Sequence, residues 1–144
     1  MIRVTSWWLI KRLIKLKFPE VKQLSTAELA TWLADKGSKP VLLDARTPEE
    51  YRVSHLNNAK LVSDDLQVVA DIDYTTPIVA YCSVGYRSSA IAHRLEALGY
   101  QNVFNLEGSI FEWVNENRPV YSQGKQTTKV HPYQKFWKHL LIDS

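Results

Sequence analysis

The stretch Cys82-Ser83-Val84-Gly85-Tyr86-Arg87-Ser88 decides how the rest of the chain is interpreted. Residues 77–81, just before it, form a short apolar run of the kind found in buried strands. Residues 88–99, just after it, carry apolar side chains at helical spacing and end in a glycine, which predicts a helix. The only cysteine of the chain is therefore expected at a strand-to-helix turn. The apolar positions of the predicted helix are Ile91, Leu95 and Leu98.

The predicted position of Cys82 favours chemistry at its sulfur. A helix N-terminus carries unpaired amides and partial positive charge, which stabilise a thiolate and can bind an anion. Arg87 adds a permanent positive charge, and Gly85 allows a sharp turn in which successive amides point inward. We interpret Cys82 as a nucleophile in an anion-binding turn. The alternative is that Cys82 is a small buried apolar side chain, as many free cysteines are.

The composition is that of one globular domain. The chain has 144 residues, of which 45% are hydrophobic and 23% charged. A single cysteine excludes an internal disulfide framework and a cysteine-rich metal site, and it fits a reducing compartment such as the cytoplasm. No apolar run reaches the roughly 18 residues that a transmembrane helix needs. No two histidines are spaced as ligands, so we expect neither a metal nor a cofactor.

The net charge of +3 is unevenly distributed. Residues 1–18 carry a net charge of +5 and residues 119–144 carry +3, whereas residues 19–118 carry −5. The basic character therefore belongs to the two ends and does not mark the central domain as a nucleic-acid binder.

The order of the predicted elements indicates an α/β fold. Ser25 and Thr47 each cap a predicted helix, and Asp64 or Asp65 is expected to open a weak helix through Val69. Alternation of strands and helices predicts a parallel sheet of about five strands with helices on both faces. Ligands bind such sheets beyond the carboxyl ends of the strands, where Cys82 and Asp44 both fall. The predicted strands are residues 21–24, 41–44, 59–61, 77–81 and 102–106.

Four motifs together resemble the rhodanese family of sulfurtransferases, over about residues 20–118. The loop matches the family's Cys-x-x-Gly-x-Arg-Ser/Thr, and residues 41–51 resemble its strand ending in Asp-x-Arg, followed by a Glu-Tyr turn. Residues 54–59 align with Gly-His-Ile-Pro-Gly-Ala, although Gly, Pro and Gly are replaced. Residues 106–113 resemble the closing Leu-x-Gly-Gly-x-x-x-Trp, with Ser109 at the second glycine. The resemblance implies a rhodanese-like domain at 19–118, flanked by extensions at 1–18 and 119–144.

The resemblance also implies a reaction. The family moves a sulfane sulfur from thiosulfate or a persulfide donor to cyanide or a thiol, through a persulfide on the cysteine that matches Cys82. With no second cysteine in the chain, the acceptor must come from another molecule. Arg87 is expected either to brace the loop or to bind the donor. Asp44 and Arg46 either form an ion pair that fixes the strand end or line the donor entrance.

The site residues divide into three groups. Cys82 and Arg87 are the predicted catalytic residues, and Asp44 and His55 are predicted to give structural support. The predicted substrate-binding residues are Ser83, Val84, Gly85, Tyr86, Ser88 and Arg46.

Two other functions remain open at this stage. A Cys-Arg loop also occurs in cysteine phosphatases and in arsenate reductases, but the phosphatases that this loop resembles have five residues between Cys and Arg. Here there are four, and the smaller ring suits a sulfane sulfur better than a tetrahedral oxyanion. The other alternative is a non-catalytic rhodanese-like module that binds a partner protein.

Both ends of the chain are basic, tryptophan-bearing amphipathic segments. Residues 1–18 predict a helix, and residues 133–142 show the same helical pattern. Three interpretations remain: the segments pack on the domain, contact an anionic membrane from the cytoplasmic side, or dock a sulfur donor or acceptor protein. On the second interpretation, deleting residues 1–18 should release vesicle binding and spare catalysis. We expect no nucleic-acid partner.

Overall fold

The centre of the protein is a parallel β-sheet. The computed structural model describes residues 2–131, with side chains from residue 6 onward. The five strands are β1 (Lys22–Leu24), β2 (Val41–Asp44), β3 (Lys60–Leu61), β4 (Ile78–Tyr81) and β5 (Val103–Leu106). Their order in the sheet is β1-β5-β4-β2-β3, and every neighbouring pair is parallel. The predicted α/β fold with a five-stranded parallel sheet is confirmed.

Five helices accompany the sheet: α1 (Ile2–Lys17), α2 (Thr26–Ala34), α3 (Pro48–Val53), α4 (Tyr86–Ala97) and α5 (Ser109–Asn115). Ser25 and Thr47 cap α2 and α3 as predicted, each in a full capping box with the glutamate three residues later. The sequence predicted a weak helix from Asp64 or Asp65 through Val69. That prediction is wrong, because the structure has only a short 3-10 turn there, at Gln67–Val69. Leu66, in the left-handed region at φ 57°, prevents a longer helix.

The two faces of the sheet carry separate hydrophobic clusters. On one face, helices α2 and α5 contribute Leu29, Ile110 and Phe111, each 0% exposed. On the other, α4 contributes Ala92 and Leu95, also 0% exposed. All four residues of β4 are fully buried, so the strand that leads into Cys82 is held between both layers.

The chain after residue 118 begins with a hairpin that the sequence did not predict. Strands β6 (Val120–Ser122) and β7 (Lys125–Thr127) pair antiparallel. The connecting Gln123 and Gly124 both have positive φ, at 52° and 77°, as a tight two-residue turn requires. Val120 is 1% exposed, and Tyr121 exchanges two backbone hydrogen bonds of 2.8 Å with His55. The first part of this extension is therefore attached to the domain.

Helix α1 is fixed to the domain along one side. Ile14 is 5% exposed, while Trp7 and Ile10 pack against the cluster that contains Leu29. Ion pairs reinforce this contact, with 2.9 Å between Lys11 Nζ and Glu112 and 3.0 Å between Lys15 Nζ and Glu107. Deleting residues 1–18 would expose this side of the core, so we expect the truncated protein to be less stable, and its retained catalysis stays a prediction.

The length and polarity of the helices bear on the membrane hypothesis. Among the residues that the structure describes, no helix has the length and apolar character required to cross a bilayer. The amphipathic pattern predicted at 133–142 lies outside the described residues.

Candidate active site

Cys82 directly follows the carboxyl end of β4, and four residues later the chain has entered helix α4. The loop between them is fixed from a second side by the start of α5. The backbone N–H of Ile110 donates to the carbonyl of Cys82, and that of Phe111 donates to the carbonyl of Ser83, both at 3.1 Å. The loop therefore lies against the first turns of two helices, at the carboxyl end of the sheet.

The sulfur of Cys82 accepts one backbone hydrogen bond and lies close to one hydroxyl group. The backbone N–H of Gly85 donates to Sγ at 3.1 Å, and the Ser88 hydroxyl lies 3.4 Å from it. Gly85 has φ +117°, a conformation that side-chain-bearing residues rarely adopt, and this turn directs its N–H at the sulfur. Cys82 is only 1% exposed. These donors would stabilise negative charge on the sulfur.

Arg87 is bound by a glutamate from another helix. Its guanidinium donates to both carboxylate oxygens of Glu50 on α3, at 2.8 and 3.1 Å, and to the hydroxyl of Ser83 at 2.9 Å. The Ser83 hydroxyl in turn donates to Glu50 at 3.2 Å. Of the two roles considered for Arg87, these contacts favour bracing of the loop.

The pKa of Glu50 reflects this arrangement. Glu50 is 1% exposed, and burial alone would raise its pKa. Hydrogen bonds from Arg87 and from the Thr47 backbone outweigh burial and lower the pKa from 4.5 to about 2. Glu50 is therefore an ionised carboxylate that holds Arg87 and Ser83, a role that the sequence analysis did not assign to it.

Asp44 and Arg46 form a buried ion pair at the end of β2. The two side chains make bidentate contacts of 2.9 and 2.7 Å, and both are fully buried. Burial alone would lower the pKa of Arg46, but the hydrogen bond and charge of Asp44 raise it. Arg46 also donates to the carbonyl of Ser54 at 2.6 Å. Of the two roles considered, this burial favours the ion pair that fixes the strand end, and donor binding by Arg46 stays a prediction.

Tyr81 extends this buried network toward the loop. Its hydroxyl donates to Asp44 at 2.7 Å and accepts the backbone N–H of Leu56 at 3.0 Å. Burial raises the pKa of Tyr81 well above its ordinary value, and the charge of Asp44 raises it further. His55 contacts backbone and a ring: Nδ1 lies 3.0 Å from the carbonyl of Tyr51, on whose ring the imidazole stacks.

Two further polar side chains, Asn105 and Ser109, lie beneath the loop. The Ser109 hydroxyl accepts the backbone N–H of Cys82 at 3.2 Å and donates to Leu106. Asn105 accepts the Ser88 hydroxyl at 2.5 Å. Ser109 has φ +50°, in the left-handed region that favours glycine, and glycine is the residue that the family motif has at this position. The replaced glycine was the only sequence signal for Ser109, and Asn105 gave none.

The remaining loop residues differ in exposure. Val84 is 6% exposed and belongs to the hydrophobic cluster that contains Leu29. Tyr86 is 50% exposed and contacts the ring of Phe18 edge-on. Tyr86 is thus the most exposed residue of the stretch 82–88, and its contact with a substrate stays a prediction. Within residues 2–131, no group of three or more histidine, cysteine, aspartate or glutamate side chains is arranged to hold a metal ion.

The fold and the loop define a parallel α/β protein with a buried cysteine in an anion-stabilising turn. The model of the family called Rhodanese-like domain matches residues 25–116. The chain belongs to this family. It also resembles the crystal structure of a rhodanese-like domain protein from Staphylococcus aureus, with a TM-score of 0.58 and 26% identity. That similarity covers 76% of this chain and 99% of the other.

Curated relatives carry several functions. A probable adenylyltransferase/sulfurtransferase MoeZ from Mycobacterium tuberculosis is 29% identical over 67% of this chain and 25% of its own length. A tRNA uridine(34) hydroxylase from Erwinia tasmaniensis is 32% identical, over 71% of this chain and 32% of its own. A thiosulfate sulfurtransferase GlpE from Tolumonas auensis is 31% identical over 50% of this chain and 70% of its own. The chain thus spans a third or less of the first two, and the family supports sulfur transfer in general.

The glycine turn of the loop is the first feature to test. In Gly85→Ala, the new Cβ would lie 3.2 Å from Asn105 Nδ2 and 3.4 Å from Ile14 Cδ1, at a φ that alanine disfavours. We expect the loop to shift and the Gly85 N–H to turn away from the sulfur. The alkylation rate of Cys82 by iodoacetamide should fall by about tenfold or more, equivalent to about 1.4 kcal/mol.

Gly124→Ala is the matched control, since Gly124 also has positive φ, at +77°, but nothing lies within 4 Å of the new Cβ. Both variants should lose about 1–2 kcal/mol of unfolding free energy from backbone strain. Only Gly85→Ala should change the thiol's reactivity. An equal alkylation rate in the two variants would show that the turn does not act on the sulfur.

Proposed function

We propose that the protein transfers a sulfane sulfur from thiosulfate, or from a persulfide donor, to a thiol acceptor through a persulfide on Cys82. The observation that carries the proposal is the environment of the sulfur, which accepts the Gly85 N–H at 3.1 Å at the start of helix α4. A hydrogen-bond donor and a helix N-terminus next to the sulfur would stabilise negative charge on it during attack and in the persulfide.

The reaction has two steps. The Cys82 thiolate attacks the outer sulfur of thiosulfate, the bond between the two donor sulfurs breaks, and sulfite leaves with the electron pair. A nucleophilic acceptor, such as a thiolate or cyanide, then attacks the outer sulfur of the persulfide and returns the Cys82 thiolate. The acceptor must be external, because the chain has no second cysteine. No metal or cofactor enters either step.

The surroundings of Cys82 suggest how the chain assists. The Ser88 hydroxyl has one proton and lies near both Asn105 and the sulfur, so a thiolate would compete with Asn105 for that proton. Burial of Cys82 limits attack to a small terminal atom, which suits the outer sulfur of thiosulfate. Arg87 supports the loop through Glu50, and Tyr86 at the exposed rim contacts the donor or acceptor.

Two alternatives differ in their expected chemistry. A phosphatase or arsenate reductase is disfavoured by the four residues between Cys82 and Arg87. A non-catalytic partner-binding module draws support from the 1% exposure of Cys82. We propose the cytoplasm as the compartment, because the single thiol must stay reduced.

The test is a steady-state assay of thiocyanate formed from thiosulfate and cyanide, beside phosphate release from p-nitrophenyl phosphate. Thiocyanate formation without phosphate release supports the proposal. Phosphate release alone would favour the phosphatase. A protein inactive in both assays, whose thiol also fails to react with iodoacetamide, would favour the binding module.

A further inference from the structure

Helix α1 has a second apolar side that the domain leaves uncovered. At about 100° per residue, the residues that face the domain form one stripe, and four others form a stripe on the opposite side. The outer stripe consists of Trp8, Leu9, Leu13 and Leu16, which are 61%, 48%, 55% and 66% exposed. Only three other large hydrophobic side chains of the described residues are exposed, namely Tyr74, Tyr86 and Leu98. Exposed apolar surface is thus concentrated on one helix side.

Basic side chains lie within and beside this outer stripe. Arg12, Lys15 and Lys17 are exposed, and the guanidinium of Arg12 lies 5.6 Å from the Trp8 ring centre. Residues 1–18 contain no acidic side chain. An apolar stripe that bears tryptophan and leucine, on a helix whose own charged side chains are all basic, is complementary to a surface that is apolar inside and anionic outside.

We propose that the outer stripe of α1 docks the protein on an anionic phospholipid membrane. If the outer stripes of two copies packed against each other, the basic side chains of both α1 helices would come together, and their repulsion disfavours self-association. The sequence of residues 133–142 is itself basic and offers no negative charge to complement that of α1. Lysine is depleted in the cores of protein–protein interfaces but enriched in membrane-surface helices, which favours lipid over a protein partner.

Docking through this stripe would orient the active-site loop. The domain side of α1 reaches that loop, because Ile14 Cδ1 lies 3.4 Å from the position of a Cβ on Gly85. Phe18, just after the helix, contacts Tyr86 at the rim of the loop. Since a helix with its side chains is roughly 10 Å across, the loop would stand about that distance from the lipid surface.

The experiment is sedimentation of the full chain with vesicles of phosphatidylcholine and phosphatidylglycerol in equal parts, beside phosphatidylcholine alone. Leu16→Gln removes one leucine of the outer stripe, and Leu98→Gln, at 56% exposure on the end of α4, is its matched control. Both sites are exposed, so both variants should unfold at the wild-type temperature. We expect Leu16→Gln to weaken binding about tenfold and Leu98→Gln to leave it unchanged.

Added salt should weaken wild-type binding to the anionic vesicles, and the neutral vesicles should bind far less protein. Several outcomes would overturn the proposal: a wild-type protein that stays in the supernatant, equal binding to both vesicle types, or Leu16→Gln that sediments like the wild type. A Leu16→Gln variant that instead abolishes a wild-type dimer seen without vesicles would assign the stripe to a second copy. None of these readouts depends on sulfur transfer.

Discussion

Replacing Cys82 by serine is expected to abolish sulfur transfer, with thiocyanate formation falling by at least ~10³-fold. A serine hydroxyl is not ionised near neutral pH, and the two described groups that contact the sulfur, the Gly85 N–H and the Ser88 hydroxyl, are not general bases. The fold should survive, because the serine oxygen can accept the Gly85 N–H that now reaches Sγ at 3.1 Å. The measurement is the thiocyanate rate, together with the thermal unfolding temperature of both proteins.

Alkylation provides the control for this prediction. Wild-type protein blocked with iodoacetamide carries a modification on its single cysteine and should lose activity to the same extent. A serine variant that turns over like the wild type would refute the nucleophilic role of Cys82. If Cys82→Ser loses activity because it does not fold, the activity of the alkylated wild type decides whether Cys82 is required.

The second large effect is expected at Glu50. Glu50→Gln removes the carboxylate charge that pairs with Arg87, on a side chain that is 1% exposed. Removing one partner of a buried ion pair typically costs 3–5 kcal/mol. Because the Arg87 side chain is 25% exposed and water can reach it, we expect about 3 kcal/mol. Denaturant unfolding of the variant and the wild type at neutral pH measures this difference.

Glu116→Gln is the matched control, because Glu116 also pairs with an arginine, Arg118, but 39% of its side chain is exposed. The glutamine can still accept the Thr26 hydroxyl that now donates to Glu116. Exposed pairs contribute about 0–1 kcal/mol, so this variant should remain within ~1 kcal/mol of the wild type. Equal losses in the two variants would mean that the pair with Arg87 does not hold the loop.

The lowered pKa of Glu50 also predicts how stability depends on pH. Its pKa is about 2 in the folded protein and 4.5 ordinarily, so the unfolded chain binds this proton first. The stabilisation from Glu50 is complete above pH 4.5 and is lost as the pH falls toward 2. The stability difference between wild type and Glu50→Gln should therefore shrink across this range. A difference that stays constant would show that Glu50 does not titrate with folding.

Much of the fold followed from short-range patterns in the sequence. Cys82 lies between an apolar strand and a periodic helix, and the caps at Ser25 and Thr47 each involve residues only three positions apart. The pairing of Glu50 with Arg87 joins residues 37 positions apart, and its geometry depends on how α3 packs beside the loop. From local sequence patterns, Glu50 was recognisable only as a residue in the first turn of the predicted helix α3.

Other features were missed for identifiable physical reasons. The hairpin turn places Gln123 at positive φ, where asparagine or aspartate would have signalled a tight turn. The amphipathic pattern of residues 1–18 was visible in the sequence, but which side of α1 meets the domain depends on tertiary packing. Asn105 lies on a strand that reads as apolar, and its role appears only once the strand passes beneath Ser88.

The central claim is that Cys82 carries the transferred sulfur, and the intact mass of the protein tests it directly. After incubation with thiosulfate and removal of excess donor, the wild type should gain one sulfur, ~32 Da, and Cys82→Ser should gain nothing. Cyanide should return the wild type to its original mass and release thiocyanate. A wild-type mass that does not change while the thiol remains open to alkylation would contradict the mechanism with thiosulfate. A gain of mass that persists in Cys82→Ser would contradict the assignment to Cys82.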